Sequence, residues 1–97
     1  MRRYTPLGPS RGDVIAPAIR TRVRSRDRGC VGPAVGLPGE CSGGLELDHV
    51  RASHGVGMKS PGTEDNLATL CNAHHRWKTE HGREARALLI AYLEGRS

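Results

Sequence analysis

Apolar side chains recur at helical spacing near both ends of the chain and alternate at strand spacing in its middle. Pro17 suits the first turn of a helix, where a missing N–H costs nothing. Ile19 and Val23 then fall at i and i+4, with arginines filling most other positions up to about Arg28. That pattern predicts a short helix with a narrow apolar stripe and a strongly basic remainder. Leu45 and Leu47, with Val50 beyond them, alternate with Glu46 and Asp48, the period-2 signature of a strand. Leu67 to Leu70 predicts a second short strand, antiparallel to the first. Asn72 is placed as an N-cap and Gly82 as a C-terminal stop, so a helix of about three turns is expected between them. Ala85, Leu88, Leu89, Tyr92 and Leu93 share one face of a last helix, expected to close the core.

The breaks between these stretches set the organisation. Residues 1–16 are rich in Pro, Gly and Arg without an apolar period and read as a basic arm; residues 17–97 read as one domain. Between Cys30 and Cys41 lies GPAVGLPG, which has turn residues and little else, and it reads as an irregular loop. Residues 51–65 contain Gly55, Gly57, Pro61 and Gly62, a second loop. The order helix, cysteine loop, strand, loop, strand, helix, helix is an α+β arrangement.

Composition makes this core thin. The chain has 97 residues, 36% of them hydrophobic and 3% aromatic, with no Phe. A domain of this size buries a modest share of its surface, so a structural metal is a natural supplement. Three cysteines leave one unpaired in any disulfide scheme, whereas three cysteines and a well-placed histidine make a four-ligand zinc set. Such a set fits a reducing cytosol. No signal peptide is expected at the N-terminus, and no apolar run approaches a membrane span.

Charge is unevenly placed. Residues 1–29 carry eight arginines against Asp13 and Asp27, a net of +6; the remainder carries seven Lys or Arg against eight acids, a net of −1. A basic third joined to a near-neutral domain points to a polyanionic partner. The alternative is a solvated tail that keeps the protein soluble.

Chemistry concentrates in residues 41–79. LELDHV (45–50), DNLATLC (65–71) and HHRWKT (74–79) follow one another in order. These segments resemble the HNH endonuclease family, whose fold is the ββα-metal or His-Me finger, and within it the small stand-alone proteins of bacteriophages. Family members commonly read Asp-His at the end of a first strand, Asn-Leu before a second, then Cys-x-x-Cys-His-x-x-Lys-Thr into a helix. This chain departs from the pattern twice: His74 stands where the second Cys is usual, and the first cysteine pair is stretched to Cys30 and Cys41. Imidazole ligates zinc as readily as thiolate, so the first change is chemically mild.

The resemblance implies a small ββα-metal core with flanking helices and a structural zinc site, acting on DNA in the cytoplasm, that of the host cell if phage-encoded. An accessory role beside phage terminase or packaging proteins is suggested by resemblance alone. Helix geometry then divides the two neighbouring histidines, because adjacent residues point ~100° apart. His74 is expected to join Cys30, Cys41 and Cys71 on zinc. His75 is expected to turn towards Asp48, and these two to hold a catalytic divalent cation: Mg²⁺, Mn²⁺, Ni²⁺ or Zn²⁺. His49 is read as the general base, since a neutral imidazole with pKa near ~6.5 can take a proton from water. Asn66 is read as bonding backbone across the loop and holding His49 in place. Lys78 and Arg76 either meet phosphate or form a solvated helix face; Trp77 is read as core, and His54 and His81 as solvent-side. The competing function is a non-catalytic, zinc-stapled nucleic-acid-binding module, which has no need of Asp48, His49 and His75.

Overall fold

The computed structural model describes residues 14–51 and 61–95. Nearly all of the basic arm, and His54, lie outside them. Helix α1 spans Pro17–Asp27, a single helical turn α2 spans Gly32–Val35, and strand β1 spans Leu45–His49. A 3₁₀ turn at Glu64–Asn66 leads into strand β2, Leu67–Cys71. Helices α3 (Asn72–Glu80) and α4 (Gly82–Gly95) complete the chain. The fold is α+β, with a two-stranded antiparallel sheet and four helices. No helix among the described residues is long and apolar enough to cross a membrane.

The strands pair with Leu45 opposite Cys71, Asp48 opposite Ala68 and His49 opposite Leu67. β2 is buried along its whole length. A two-stranded sheet leaves an edge with unpaired backbone groups, and buried ones must find partners elsewhere. Here α1 and the cysteine loop supply them. The Thr69 N–H donates to the Asp27 carboxylate at 2.8 Å, and the Val31 N–H donates to the Thr69 carbonyl at 2.9 Å. The Arg26 guanidinium donates to the Leu67 carbonyl at 2.6 Å.

Asp27 is the joint of this arrangement. A carboxylate in the last turn of a helix opposes the helix dipole, so it persists only where something compensates. Its side chain is fully buried and takes hydrogen bonds from Thr69, Arg26 and the Tyr92 hydroxyl of α4. Burial pushes this carboxyl up, but the donors outweigh it and hold Asp27 below the usual carboxylate range. A depressed folded-state pKa stabilises above the unfolded value of ~4, and the contribution is lost as pH falls through the folded value. Asp27→Ala is therefore expected to cost about 2–4 kcal/mol at neutral pH, by stranding buried donors. Urea midpoints of the two proteins should converge as pH drops towards ~3. A constant gap would show that the charge of Asp27 is immaterial.

Three expectations change in three dimensions. The cysteine loop is not irregular throughout: it contains α2, and Val31 and Leu37 enter the core with Val50, Ala68, Leu70, Ala85 and Leu89. Pro33 lies in the first positions of that turn and Gly36, at φ +92°, ends it in the left-handed region. The N-cap of α3 is Cys71 rather than Asn72: its sulfur accepts from the His74 N–H at 3.4 Å. Gly82 is the first residue of α4 and has no left-handed φ, the cap of α3 being His81.

The apolar face of α4 is also narrower than its period suggests. Ala85 and Leu89 are fully buried, while Leu88 stays 39% exposed. Trp77 packs half-buried against the core and stacks on His81 with centroids 4.3 Å apart. His81 is thus a ring partner as well as an exposed residue.

Candidate metal centres

Cys30, Cys41, Cys71 and His74 converge, with their ligand atoms all within 4.8 Å of one another. The four come from the end of α1's connection, the cysteine loop, the end of β2 and the first turn of α3. His74 Nδ1 lies 3.3 Å from the Cys30 sulfur, 3.6 Å from Cys41 and 3.2 Å from Cys71. Tetrahedral zinc with ordinary Zn–S and Zn–N bonds requires about 3.5 Å between nitrogen and sulfur. The other ring nitrogen, Nε2, lies 3.0 Å from the Gly39 carbonyl. A carbonyl only accepts, so Nε2 carries the hydrogen and Nδ1 presents its lone pair to the sulfurs.

The sulfur chemistry fits the same ion. Burial works to raise the Cys71 thiol, but the amide N–H groups of His74 and Ser42 bring it down to about 6. Cys41 is pushed up to about 11, by desolvation and by the neighbouring sulfurs of Cys30 and Cys71. Three sulfurs this close become thiolates together only with a cation among them. The set could hold a metal ion such as zinc.

Gly32 makes room for it. A Cβ on this residue would meet the His74 ring at 2.7 Å, so any side chain there would push the imidazole off the sulfurs. Sequence reasoning passed over Gly32, and its only signal is a glycine two residues after Cys30. The Gly32 N–H also donates to the Cys30 sulfur at 3.3 Å.

A second cluster lies between β1 and α3. Asp48 is 5% exposed, and its Oδ1 lies 3.4 Å from His75 Nε2. The opposite ring nitrogen of His75, Nδ1, lies 3.9 Å from Glu46. Glu46 and Asp48 are two apart on one strand and so share a face. The Asp48 carboxylate raises the His75 imidazole above its usual pKa; burial opposes this, and Glu46 adds to it. The Lys78 ammonium is 3.3 Å from Asp48 Oδ2 but is not aligned as a hydrogen-bond donor, so this buried oxygen has no hydrogen bond. A buried carboxylate beside an imidazole nitrogen is a donor pair of the kind divalent cations take, here with an ammonium at the second carboxylate oxygen.

His74 and His75 therefore face different groups, as expected from one helical residue's rotation. Lys78 does not form a solvated face: its side chain is 14% exposed and turned towards Asp48. Arg76 is exposed. Glu46 escaped sequence reasoning, although its i, i+2 relation to Asp48 was a usable signal.

His49 ends β1 beside Asp48 and is half-buried. Among the described residues, the three-cysteine, one-histidine set is the only group of three or more potential ligands, so His49 adds no third ligand to Asp48 and His75. Asn66 ties the two ends of the intervening loop together. Its Oδ1 accepts from the Arg51 N–H at 2.8 Å, and its Nδ2 donates to the Pro61 carbonyl at 2.9 Å. The Asn66 carbonyl also accepts from the Val50 N–H at 2.9 Å, directly after His49.

The arginines of α1 fall into two groups. Arg22 pairs with Glu64, and Arg26 with Asp27, two backbone carbonyls and the Tyr92 ring. Arg20, Arg24 and Arg28 are exposed. Against models of known protein families, curated proteins and solved structures, the chain shows no match.

Proposed function

We propose that this protein is a metal-dependent endonuclease of the HNH type, with β1, β2 and α3 forming a ββα-metal core that hydrolyses DNA phosphodiester bonds. The observation that carries the reading is the Asp48–His75 pair: a buried carboxylate and an imidazole 3.4 Å apart on neighbouring elements, next in sequence to His49 and separate from the cysteine set. A divalent cation bound there would polarise the scissile phosphate and stabilise charge on the leaving 3′ oxygen. Asp48 and His75 would hold it. His49 takes the proton from the attacking water, and Asn66 keeps the strand end that carries His49 in register. Lowering of pH protonates His75 and weakens its hold on a cation. The products are 5′-phosphate and 3′-hydroxyl ends.

The test is supercoiled plasmid incubated with the zinc-loaded protein and Mg²⁺ or Mn²⁺, with EDTA controls and with Asp48→Asn. Cleavage that needs both the added ion and Asp48 is expected. Folded, DNA-binding protein that never cuts would leave the zinc-stapled binding module instead.

The partner surface follows from the arginine division. Arg20 and Arg24 of α1 and Arg28 at its C-cap recur every four residues and are exposed, whereas Arg22 and Arg26 are held in ion pairs, so the first three are the arginines available to phosphates. Replacing all three with glutamine is expected to reduce the slope of log K against log salt by roughly 2–3, with little change in melting temperature. Arg26→Gln should do the reverse, lowering stability with a small effect on the slope. Equal effects on the slope from both variants would sink this assignment.

A further inference from the structure

Lys78 has no role in the mechanism above, yet it is the one lysine among the described residues and it meets a buried carboxylate. Asp48 is 5% exposed, and a carboxylate this deep stays ionised only beside positive charge or donors. His75 lies at Oδ1, 3.4 Å away, and Lys78 at Oδ2, 3.3 Å away. The spacing of three residues puts both on the same face of α3. Oδ2 receives no hydrogen bond, so the ammonium holds this oxygen by charge and proximity alone. Lysine suits a replaceable contact of this kind: a compact charge on a flexible four-carbon stem, with no rigid fork to lock it. Its side chain is 14% exposed, which leaves the ammonium a route to solvent.

We infer that Lys78 is a resident cation of the Asp48 site, which balances the carboxylate until a divalent cation takes Oδ2 and is then freed to meet a phosphate oxygen. The inference rests on the metal-dependent reading of Asp48 and His75. It makes Lys78 a competitor of the metal in DNA-free protein and a positioning residue when substrate is present. Two consequences differ from those of a purely structural lysine. Divalent cation binding should tighten when the ammonium is removed, and the metal-free protein should become less stable at the same time.

The experiment is titration of zinc-loaded, DNA-free protein with Mn²⁺, followed by calorimetry or by the Mn²⁺ paramagnetic signal, together with melting temperatures with and without Mn²⁺. Lys78→Met and Lys78→Gln are expected to bind Mn²⁺ about tenfold more tightly than wild type, to melt lower without it, and to gain more from its addition. Lys78→Arg, which keeps the charge, should stay within about threefold of wild type. Asp48→Asn should abolish binding at this site. Unchanged or weaker Mn²⁺ affinity in Lys78→Met and Lys78→Gln, with Asp48→Asn still losing it, overturns the inference and spares the metal site. An equal gain in Lys78→Arg overturns it too, because charge would then not be the cause. Mn²⁺ that binds wild type no better than Asp48→Asn removes the cation site itself.

Discussion

Loss of zinc and of the folded state is the expected result of His74→Ala. His74 is 1% exposed and its Nδ1 faces the sulfurs of Cys30, Cys41 and Cys71 at 3.2 to 3.6 Å. The four ligands come from the segment after α1, the cysteine loop, β2 and α3, so a single bound ion would tie these four segments together. Structural zinc contributes apparent free energies of about 10–16 kcal/mol in small domains at neutral pH. Folded domains hold about 5–15 kcal/mol in total, and a short chain lies towards the lower end. Removing one ligand of four should therefore exceed what the core alone supplies. Zinc per chain should fall below one, and far-ultraviolet circular dichroism should show unfolding near room temperature. His75→Ala is the matched comparison. That ring is half-exposed and faces Asp48 and Glu46, so zinc content and melting should stay near wild type while cleavage disappears. Loss of tight zinc from His75→Ala, with a folded and zinc-loaded His74→Ala, would reverse the two roles.

The second large effect is catalytic. His49→Ala is expected to lower the rate of plasmid cleavage by ~10²–10⁴-fold, the usual contribution of a general base. DNA binding, zinc content and melting should change little. The reason is positional. His49 is the last residue of β1, half-buried, while the buried neighbours that hold the strand end are Val50 and Leu67. The proper comparison is single-turnover cleavage at saturating Mg²⁺ or Mn²⁺, which separates chemistry from metal and DNA affinity. Cleavage by His49→Ala at the wild-type rate would remove the base from the mechanism.

Much of the framework is local and could be read without coordinates. The alternation of Leu45, Glu46, Leu47 and Asp48 is enough to place β1, but not to say which face is buried: Leu45 is 45% exposed, while Asp48 on the other face is buried. The separation of His74 from His75 is local as well. It follows from the ~100° between consecutive helical residues, whatever surrounds the helix. Cys71 and His74 lie one turn apart for the same reason, so half of the zinc set is a property of a four-residue segment.

The rest depended on contacts between residues far apart in sequence. Nothing within GPAVGLPG announces that Leu37 is 4% exposed; the loop is core because β2 offers Thr69 to Val31. Asp27 counts in the sequence only as an acid against the arginines, and is the joint of the fold because Thr69 and Tyr92 reach it. Lys78 lies on a helix of mostly polar residues, and turns inward because Asp48, thirty residues earlier, is buried opposite it. Leu88 continues the apolar period of α4 yet stays exposed, since Ala85 and Leu89 already fill the contact with the core. Sequence alone determined the strands, the three longer helices and the rotation that parts the two histidines, because those depend on backbone geometry within a few residues. Tertiary structure alone decided which charges are buried, which sulfurs meet and which arginines are paired, because burial and charge pairing are set by what the chain brings from a distance.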